Sequence, residues 1–326
     1  MSDGDSCRLK YFEGEPEVLA EVRQMWDEIF DDPEEFADYY FTEICKQNKI
    51  LLAYKGDVLA GMIHLNPYEM QVEGKKELCY YIVGVAVKPE YREQGIMHKM
   101  MQRVLADLMP EREEYYESLG FEKVFHTLEL DIDIAELEDE NVVPDDLSGE
   151  EGYYTKNLKD LHEERADILE HLSGEVNEAL AKKYRIYAHR TPQYLEQMCM
   201  EHRCQNGDVV AVYEDGMHMD DGQVEERLAG MFSYDIYDDT MYVERFESFD
   251  DHVRYVLDAA VRLAEHAFCR RLVVTMSERH FCDDIANMLG VSVRMNDGYG
   301  FMAISLQGDD SLMSILHEAS FFDEIV

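Results

Sequence analysis

Basic residues are scarce in this chain. Its 326 residues include 30 lysines and arginines against 71 aspartates and glutamates, which gives a formal net charge of −41 at pH 7. Such a surface repels phosphate backbones and anionic lipid headgroups, so nucleic acids and membrane surfaces are poor partners. The same charge favours a cationic substrate, although an acidic surface that only maintains solubility has the same composition.

Long apolar runs and closely paired cysteines are also missing. No stretch approaches the roughly 20 apolar residues that a membrane-spanning helix needs, and the first residues lack the basic-then-apolar layout of a signal peptide. The seven cysteines are odd in number and have no C-x-x-C spacing, which argues against a disulfide framework and a structural zinc site. These features predict a cytoplasmic protein with reduced cysteines and without a bound metal.

One short segment has the layout of a phosphate-binding turn. Residues 83–97 read V-G-V-A-V-K-P-E-Y-R-E-Q-G-I-M, and an apolar-periodic stretch follows from His98 to Leu108. This pattern predicts a strand, an Arg-x-x-Gly turn and a helix. The first amides of a helix lack intrahelical acceptors and carry the positive end of its dipole, so we expect the turn to hold a pyrophosphate.

The segment resembles motif A of the GNAT N-acetyltransferases, in which an R-x-x-G-x-[GA] turn holds the pyrophosphate of acetyl-CoA. Met97 stands where that family usually has Gly or Ala. The resemblance implies an α/β fold with a mixed sheet and acetyl-CoA as cosubstrate. The residues that it implies for cofactor binding are Val83, Val85, Ala86, Val87, Arg92, Glu93, Gln94, Gly95, Ile96 and Met97.

An internal repeat indicates a second copy of the same fold. Residues 227–232, R-L-A-G-M-F, repeat the pattern of residues 58–63, V-L-A-G-M-I, and each follows an apolar strand and a turn. No Arg-x-x-Gly follows the strand that we expect at 241–246, so the second copy is predicted to be degenerate. An acidic stretch near residue 150 reads as a linker. We therefore expect an acetyl-CoA-binding domain over 1–150 and a degenerate GNAT-like domain over 151–326.

This tandem layout resembles the Eis-type (enhanced intracellular survival) acetyltransferases, in which a degenerate GNAT-like domain follows an active one. The stretch from Tyr184 to Met200 and the ending Phe321–Val326 look like that family's second domain and C-terminus. Only about thirty residues follow Met295, too few for the sterol-carrier-like domain at the end of those enzymes.

Acetyl transfer needs an amine free of its proton, a fixed thioester and a proton donor for the departing thiolate. The resemblance implies Tyr116 as that donor and the C-terminal carboxylate of Val326 as the base. The alternatives are a packed aromatic side chain and a disordered chain end. The resemblance also places Trp26, Phe30 and Tyr39 on the two helices that roof the acceptor pocket.

One departure from the family concerns the cofactor slot. A GNAT chain has a further strand before its Y-x-x-x-G-F helix, and here only a few residues separate Leu108 from Tyr115. Either Val104 to Met109 is recruited as that strand, or one wall of the slot is missing. His64 and His126 are candidate bases by residue type alone, and a hydrogen-bonded histidine within a strand is the alternative for each.

Two functions therefore remain open. The first is an acetyl-CoA-dependent N-acetyltransferase that acts on a small cationic amine, such as a polyamine, a lysine side chain or an aminoglycoside. The second is a non-catalytic acetyl-CoA-binding or assembly protein of GNAT ancestry. Both are compatible with a homo-oligomer.

Overall fold

The structure is a computed structural model that describes residues 7–107, 122–137, 152–161, 165–214, 227–249, 252–277, 294–303 and 320–321. The strands are β1 (Cys7–Tyr11), β2 (Lys49–Lys55), β3 (Val58–Val72), β4 (Lys75–Val87), β5 (Glu122–Asp133), β6 (Tyr153–Asn157), β7 (Ile186–Ala188), β8 (Asp208–Glu214), β9 (Arg227–Tyr237), β10 (Thr240–Ser248), β11 (Arg271–Ser277), β12 (Arg294–Ala303) and β13 (Ser320–Phe321). The α-helices are α1 (Pro16–Ile29), α2 (Glu34–Tyr39), α3 (Ile96–Asp107), α4 (Arg165–Lys183), α5 (Pro192–Arg203) and α6 (Val253–His266). The predicted mixed α/β class is confirmed.

The first sheet consists of six strands in the described part of the chain, with β3 at its centre. β3 pairs antiparallel with β2 along one edge and with β4 along the other, and β1 extends the sheet beyond β2. Alternate residues of a strand point to opposite faces. Accordingly, Ile50 and Leu52 lie in a core with α1 and α2, whereas Leu51 and Ala53 lie in a core with α3.

The second sheet has the order β12-β5-β11-β10-β9-β8-β6 among the described strands. All of its pairs are antiparallel except β10 with β11, so both sheets are mixed. Val210 and Val212 face a core that α6 completes, and Val209 and Ala211 face one that α4 and α5 complete. The second sheet therefore has helices on both faces, as the first sheet does.

The two halves of the chain exchange strands. β5 precedes residue 150 but pairs with β11 and β12 in the second sheet. β7 lies beyond residue 150 but pairs with residues 70–72 of β3, and β13 continues the first sheet from β7. Sheet membership thus does not follow the division of the chain at residue 150, and that boundary stays a prediction of where the linker lies.

The repeated Leu-Ala-Gly-Met sequence forms the same irregularity in both sheets. Ala60 of β3 is an extra residue between the pairs that β3 makes with β2, and Ala229 of β9 is an extra residue between its pairs with β8. One additional residue in one strand of an antiparallel pair is a β-bulge, which sharpens the local twist. The short sequence repeat therefore specifies a repeated backbone shape.

A second bulge follows in the next strand of each copy. In β4, two residues beginning at Gly84 oppose Ile63 of β3, and in β10, two residues beginning at Arg245 oppose Phe232 of β9. Gly84 has a φ of 59° and Arg245 a φ of 47°, so both have left-handed backbone. The repeat inferred from four identical residues thus extends over the three-stranded units β2–β4 and β8–β10.

The structure differs from the sequence-based expectations in two elements. β1 was not expected, because its stability comes from pairing with the distant β2. The idea that Val104 to Met109 forms a strand is wrong for the described part, because α3 continues through Asp107 with Val104 buried against the sheet.

Gly84 lets Trp26 pack directly on the bulge. A Cβ at position 84 would lie 2.4 Å from Trp26 Cζ3, whereas Gly56 has the same φ of 59° with nothing within 4 Å. We expect Gly84→Ala to lower the free energy of unfolding by about 2–5 kcal/mol, because overpacking adds about 1–3 kcal/mol to the left-handed strain. The control Gly56→Ala should lose only about 1–2 kcal/mol. Urea denaturation measures both losses, and equal losses would contradict this role of the Trp26 contact.

Candidate functional site

The turn between β4 and α3 has the geometry of an anion site. Pro89–Tyr91 form one 3₁₀ turn, after which Glu93 and Gly95 have φ values of 61° and 71°. The hydrogen bond from Lys99 N to Gly95 O, at 3.1 Å, is the first of α3. The backbone amides of α3 before Lys99 therefore have no carbonyl acceptor within the helix. Where left-handed residues alternate with right-handed ones, such amides can point to a common centre and form a concave surface that binds anions.

The residues predicted to bind the cofactor lie together at the end of β4 and the start of α3. Arg92 Nε donates to Val87 O at 3.0 Å and so ties the turn to the strand. Gln94 Nε2 donates to Glu90 O at 3.1 Å. The exposed members of the set are Arg92, Glu93, Gln94 and Gly95. A Cβ on Gly95 would meet nothing within 4 Å, so a ligand has access to the turn from solvent.

The residues of this set that lie on β4 have buried or half-buried side chains, so a ligand would contact their backbone. Val83 and Ala86 are buried in the core under α1, and Val87 is buried in the core under α3. Within the described ranges β4 pairs with β3 alone, so its other edge has no neighbouring strand there. An extended ligand can therefore hydrogen-bond along β4 from the bulge to the turn.

Trp26 forms the floor beneath the bulge. Its side chain is 3% exposed, stacks on Tyr40 with ring centroids 4.6 Å apart, and donates from Nε1 to Asp32 Oδ2 at 2.8 Å. Phe30 is half-buried against the same indole, at 4.7 Å between centroids. Of the three residues predicted to contact the acceptor, Trp26 and Phe30 thus lie in or beside the core, and Tyr39 lies on a cavity wall.

That cavity, of about 150 Å³, lies between the first copy and the second. Its walls come from α2 and the turn after it, from the middle of β3, and from α5. The aromatic side chains that line it are Phe36, Tyr39, Tyr40, Tyr68 and Tyr194. The charged side chains are Glu69, Glu201 and Arg245. Arg245 pairs with Glu201, and Glu69 pairs with Lys76, Nζ to Oε1 at 2.6 Å. Tyr39 Oη donates to Gln197 O at 2.8 Å and joins α2 to α5 across the cavity.

Two buried polar atoms on the cavity wall have no hydrogen-bond partner within the described residues, namely Asn48 Oδ1 and His189 Nδ1. Burial lowers the pKa of His189, so the ring is neutral at pH 7. Its Nε2 faces Glu69 Oε1 at 3.6 Å, which favours a proton on Nε2 and a lone pair on Nδ1. Since a buried unsatisfied polar atom costs about 1–3 kcal/mol, both atoms favour a ligand that donates hydrogen bonds.

Tyr40 connects this wall to the interior. Its hydroxyl accepts from Asn48 Nδ2 at 2.9 Å, donates to Asn66 Oδ1 at 3.3 Å and lies 3.1 Å from His64 Nδ1. His64 is fully buried, and burial lowers its pKa to about 3. A general base is most effective with a pKa near the working pH, so His64 is better suited to holding Tyr40 than to removing a proton.

A buried polar network forms the opposite wall. Arg245 Nη2 donates to both carboxylate oxygens of Glu201 at 3.2 Å, and Nη1 donates to His202 Nε2 at 2.9 Å. His202 Nδ1 in turn lies 2.9 Å from Asp235 Oδ1. Burial lowers the pKa of His202 to about 4 and raises that of Asp235 to about 7. A neutral His202 that donates from Nδ1 and accepts at Nε2 satisfies both neighbours.

Sequence reasoning missed this network, although one signal was available. When the two copies are aligned on Leu-Ala-Gly-Met and the strands that follow, Arg245 occupies the position equivalent to Gly84. An arginine where the partner copy has a left-handed glycine is unusual enough to single out. The other predicted catalytic residues, Tyr116 and Val326, lie outside the described residues.

The comparisons with known proteins agree with this geometry. Residues 13–124 match the profile of the acetyltransferase (GNAT) domain. No curated protein matches the chain in sequence.

Among solved structures, the fold is similar to a probable N-acyltransferase of unknown function from Enterococcus faecalis V583, with 15% identity, a TM-score of 0.63, and coverage of 90% of this chain and 71% of that chain. It is also similar to Eis1 from Mycobacterium abscessus, with 14% identity, a TM-score of 0.57, and coverage of 91% and 73%. A tandem GNAT protein from the clavulanic acid biosynthesis pathway has 12% identity, a TM-score of 0.52, and coverage of 91% and 98%.

The chain thus carries a GNAT acetyltransferase domain, and its fold is shared with Eis and tandem GNAT proteins, as the sequence predicts. The described residues include no helix that is both long and apolar enough to cross a membrane.

His64 should make stability depend on pH. Its folded pKa of about 3 lies below the ordinary 6.5, so the unfolded chain binds one more proton between these values and stability falls as the pH drops below 6.5. Between pH 7.5 and 5, the wild type should lose about 2 kcal/mol more unfolding free energy than His64→Gln, at about 1.4 kcal/mol per pH unit. Urea denaturation across pH measures the difference, and parallel pH profiles would contradict a neutral buried His64.

Proposed function

We propose that this protein is an acetyl-CoA-dependent N-acetyltransferase that acts on a small cationic amine in the cytoplasm. The observation that carries the proposal is the turn before α3, where left-handed Glu93 and Gly95 set the first helix amides around an open surface at the end of β4. A pyrophosphate is the ligand that such amides and the helix dipole favour. The match of residues 13–124 to the acetyltransferase (GNAT) domain supports the same assignment.

The cavity between the copies is the proposed acceptor site. Its aromatic side chains can attract cations, and its two unsatisfied acceptors call for N–H donors. Each of its carboxylates already has a cationic neighbour, Lys76 for Glu69 and Arg245 for Glu201, and retains acceptor positions beyond it. Tyr40 in its wall stacks on Trp26, which packs on the bulge at Gly84. The cavity therefore lies on the face of the first sheet that Trp26 covers, and the side chains of Tyr40 and Trp26 separate it from the bulge.

In the proposed reaction, acetyl-CoA supplies the activated acetyl group. The amine nitrogen bonds to the acetyl carbonyl carbon, the carbon–sulfur bond breaks, the amine loses a proton and the thiolate gains one. We assign the donated proton to Tyr116 and the accepted one to the carboxylate of Val326. β13 supports the second role, because Phe321 pairs with Tyr187, two residues before the cavity residue His189.

The cofactor turn is tested by CoA affinity. Gly95→Asp places a negative charge where the pyrophosphate is proposed to bind, so affinity should fall at least about tenfold, and Arg92→Ala should weaken binding by about 1.5–3 kcal/mol. Gly74→Asp is the matched control, because Gly74 has a φ of 75° against 71° for Gly95 and is equally open. Calorimetric titration with CoA measures all three. Unchanged affinity in both turn variants would remove the assignment.

Tyr116 separates the enzyme from the non-catalytic alternative, which the short stretch between Leu108 and Tyr115 favours. Tyr116→Phe should keep CoA affinity and lower kcat by about 10²–10⁴, the usual contribution of general acid catalysis. The neighbouring Tyr115→Phe is the control and should retain kcat. Free-thiol release from acetyl-CoA over an amine panel measures turnover. Tight acetyl-CoA binding without acetylation of any amine would favour the binding-protein function.

A further inference from the structure

The second copy has kept the bulge of the motif strand but has changed the residue in it. Gly84 occupies the left-handed position in β4, and Arg245 occupies the equivalent position in β10 with a φ of 47°. Glycine adopts this backbone without steric cost, whereas a long side chain is strained there. A strained residue persists where its surroundings hold it, and such residues cluster at functional sites.

The surroundings of Arg245 show what holds it. The side chain is 4% exposed, and its two terminal nitrogens are taken up by Glu201 and His202, which follow each other in the last turn of α5. Asp235 of β9 fixes the far side of the His202 ring. The arginine therefore connects β10 to the end of α5, and its Nη2 orients the carboxylate of Glu201 by donating to both of its oxygens.

Glu201 is the more exposed of the two members of this network that line the cavity. It is 14% exposed, and it lines the cavity together with Arg245. An ionised carboxylate has about four acceptor positions. Arg245 occupies one on each oxygen, so the remaining positions can accept from a ligand.

We propose that Arg245 is a positioning residue that orients Glu201 to bind the ammonium group of the acceptor, so that the second copy completes the acceptor site of the first. This inference rests on the proposed function in taking the cavity as the acceptor site. The bulge that presents bare backbone at Gly84 in the first copy presents a guanidinium in the second. The degenerate copy is thus a working part of the site.

Direct amine binding without acetyl-CoA tests this proposal. The probe is 1,5-diaminopentane, titrated calorimetrically, with 1,5-pentanediol as the uncharged probe of the same length. Arg245→Gly restores the residue that the first copy has at the bulge and relieves the left-handed strain, and Glu201→Gln removes the charge. Each should raise the dissociation constant for the diamine about tenfold or more, as expected for a lost contact to a charged group. The double variant should be no weaker than the weaker single variant, because both changes act on one contact.

The controls separate positioning from general damage. Arg262 of α6 also pairs with a carboxylate, Nε to Asp258 Oδ2 at 2.7 Å, away from the cavity. Arg262→Lys should keep diamine affinity. Arg245→Lys retains the positive charge but lacks the pair of terminal nitrogens that donate to Glu201 and His202, so it should lose diamine affinity. CoA affinity should be unchanged in all variants, and circular dichroism monitors folding. If Arg245→Gly does not fold, Glu201→Gln and Arg245→Lys still decide.

The outcomes distinguish this inference from the proposed function. A wild type that binds the diol as well as the diamine, or binds neither, overturns the inference, and so does diamine affinity that Glu201→Gln or Arg245→Lys leaves intact. Loss of diamine affinity in these variants upholds it even where no acetyl transfer is detected. Failure of transfer or of CoA binding counts against the proposed function alone.

Discussion

Backbone pairing along β3 is the constraint on which the rest of the molecule depends. This strand pairs with β2 and β7 on one edge and with β4 on the other, so it joins both halves of the chain in one sheet. Its residues from Asn66 to Glu69 line the cavity, and Ile63 faces the bulge of β4. A register slip of one residue would reverse every side chain on β3 and would separate the cavity wall from the bulge of β4.

The two copies have the same bulged backbone but different residues in it. In the first copy the bulge holds a glycine that Trp26 covers, and β4 ends at the turn with left-handed Glu93 and Gly95. In the second copy the corresponding strand carries charge: Arg245 lies at the position of Gly84, and Glu247 at that of Ala86. Both are directed to side chains of other elements, Arg245 to Glu201 and Glu247 to Arg190.

Those buried ion pairs define geometry more than they add stability. The Arg190 and Glu247 side chains are 1% and 2% exposed with Nη2 and Oε1 2.8 Å apart. Removing two charges from water costs about as much as their attraction returns, so such pairs contribute little net stability. They do penalise alternative packings, because a displaced partner would leave a buried charge uncompensated. In a chain with a net charge of −41, Arg190 and Arg245 neutralise two of the acidic groups of the interior, Glu247 and Glu201.

The sequence by itself determined the local elements. The run from Val83 to Met97 predicts a strand, a turn and a helix. Each of these predictions rests on a few neighbouring residues: the spacing of the apolar side chains, the glycine in the turn and the residues that begin the helix. The repeated Leu-Ala-Gly-Met predicts a second copy for the same reason. Only the tertiary structure decided which strands share a sheet, which side chains enclose the cavity, and that Arg245 reaches Glu201. These contacts join residues that are tens to hundreds of positions apart, and such pairing depends on the complementarity of distant surfaces, which no local pattern encodes.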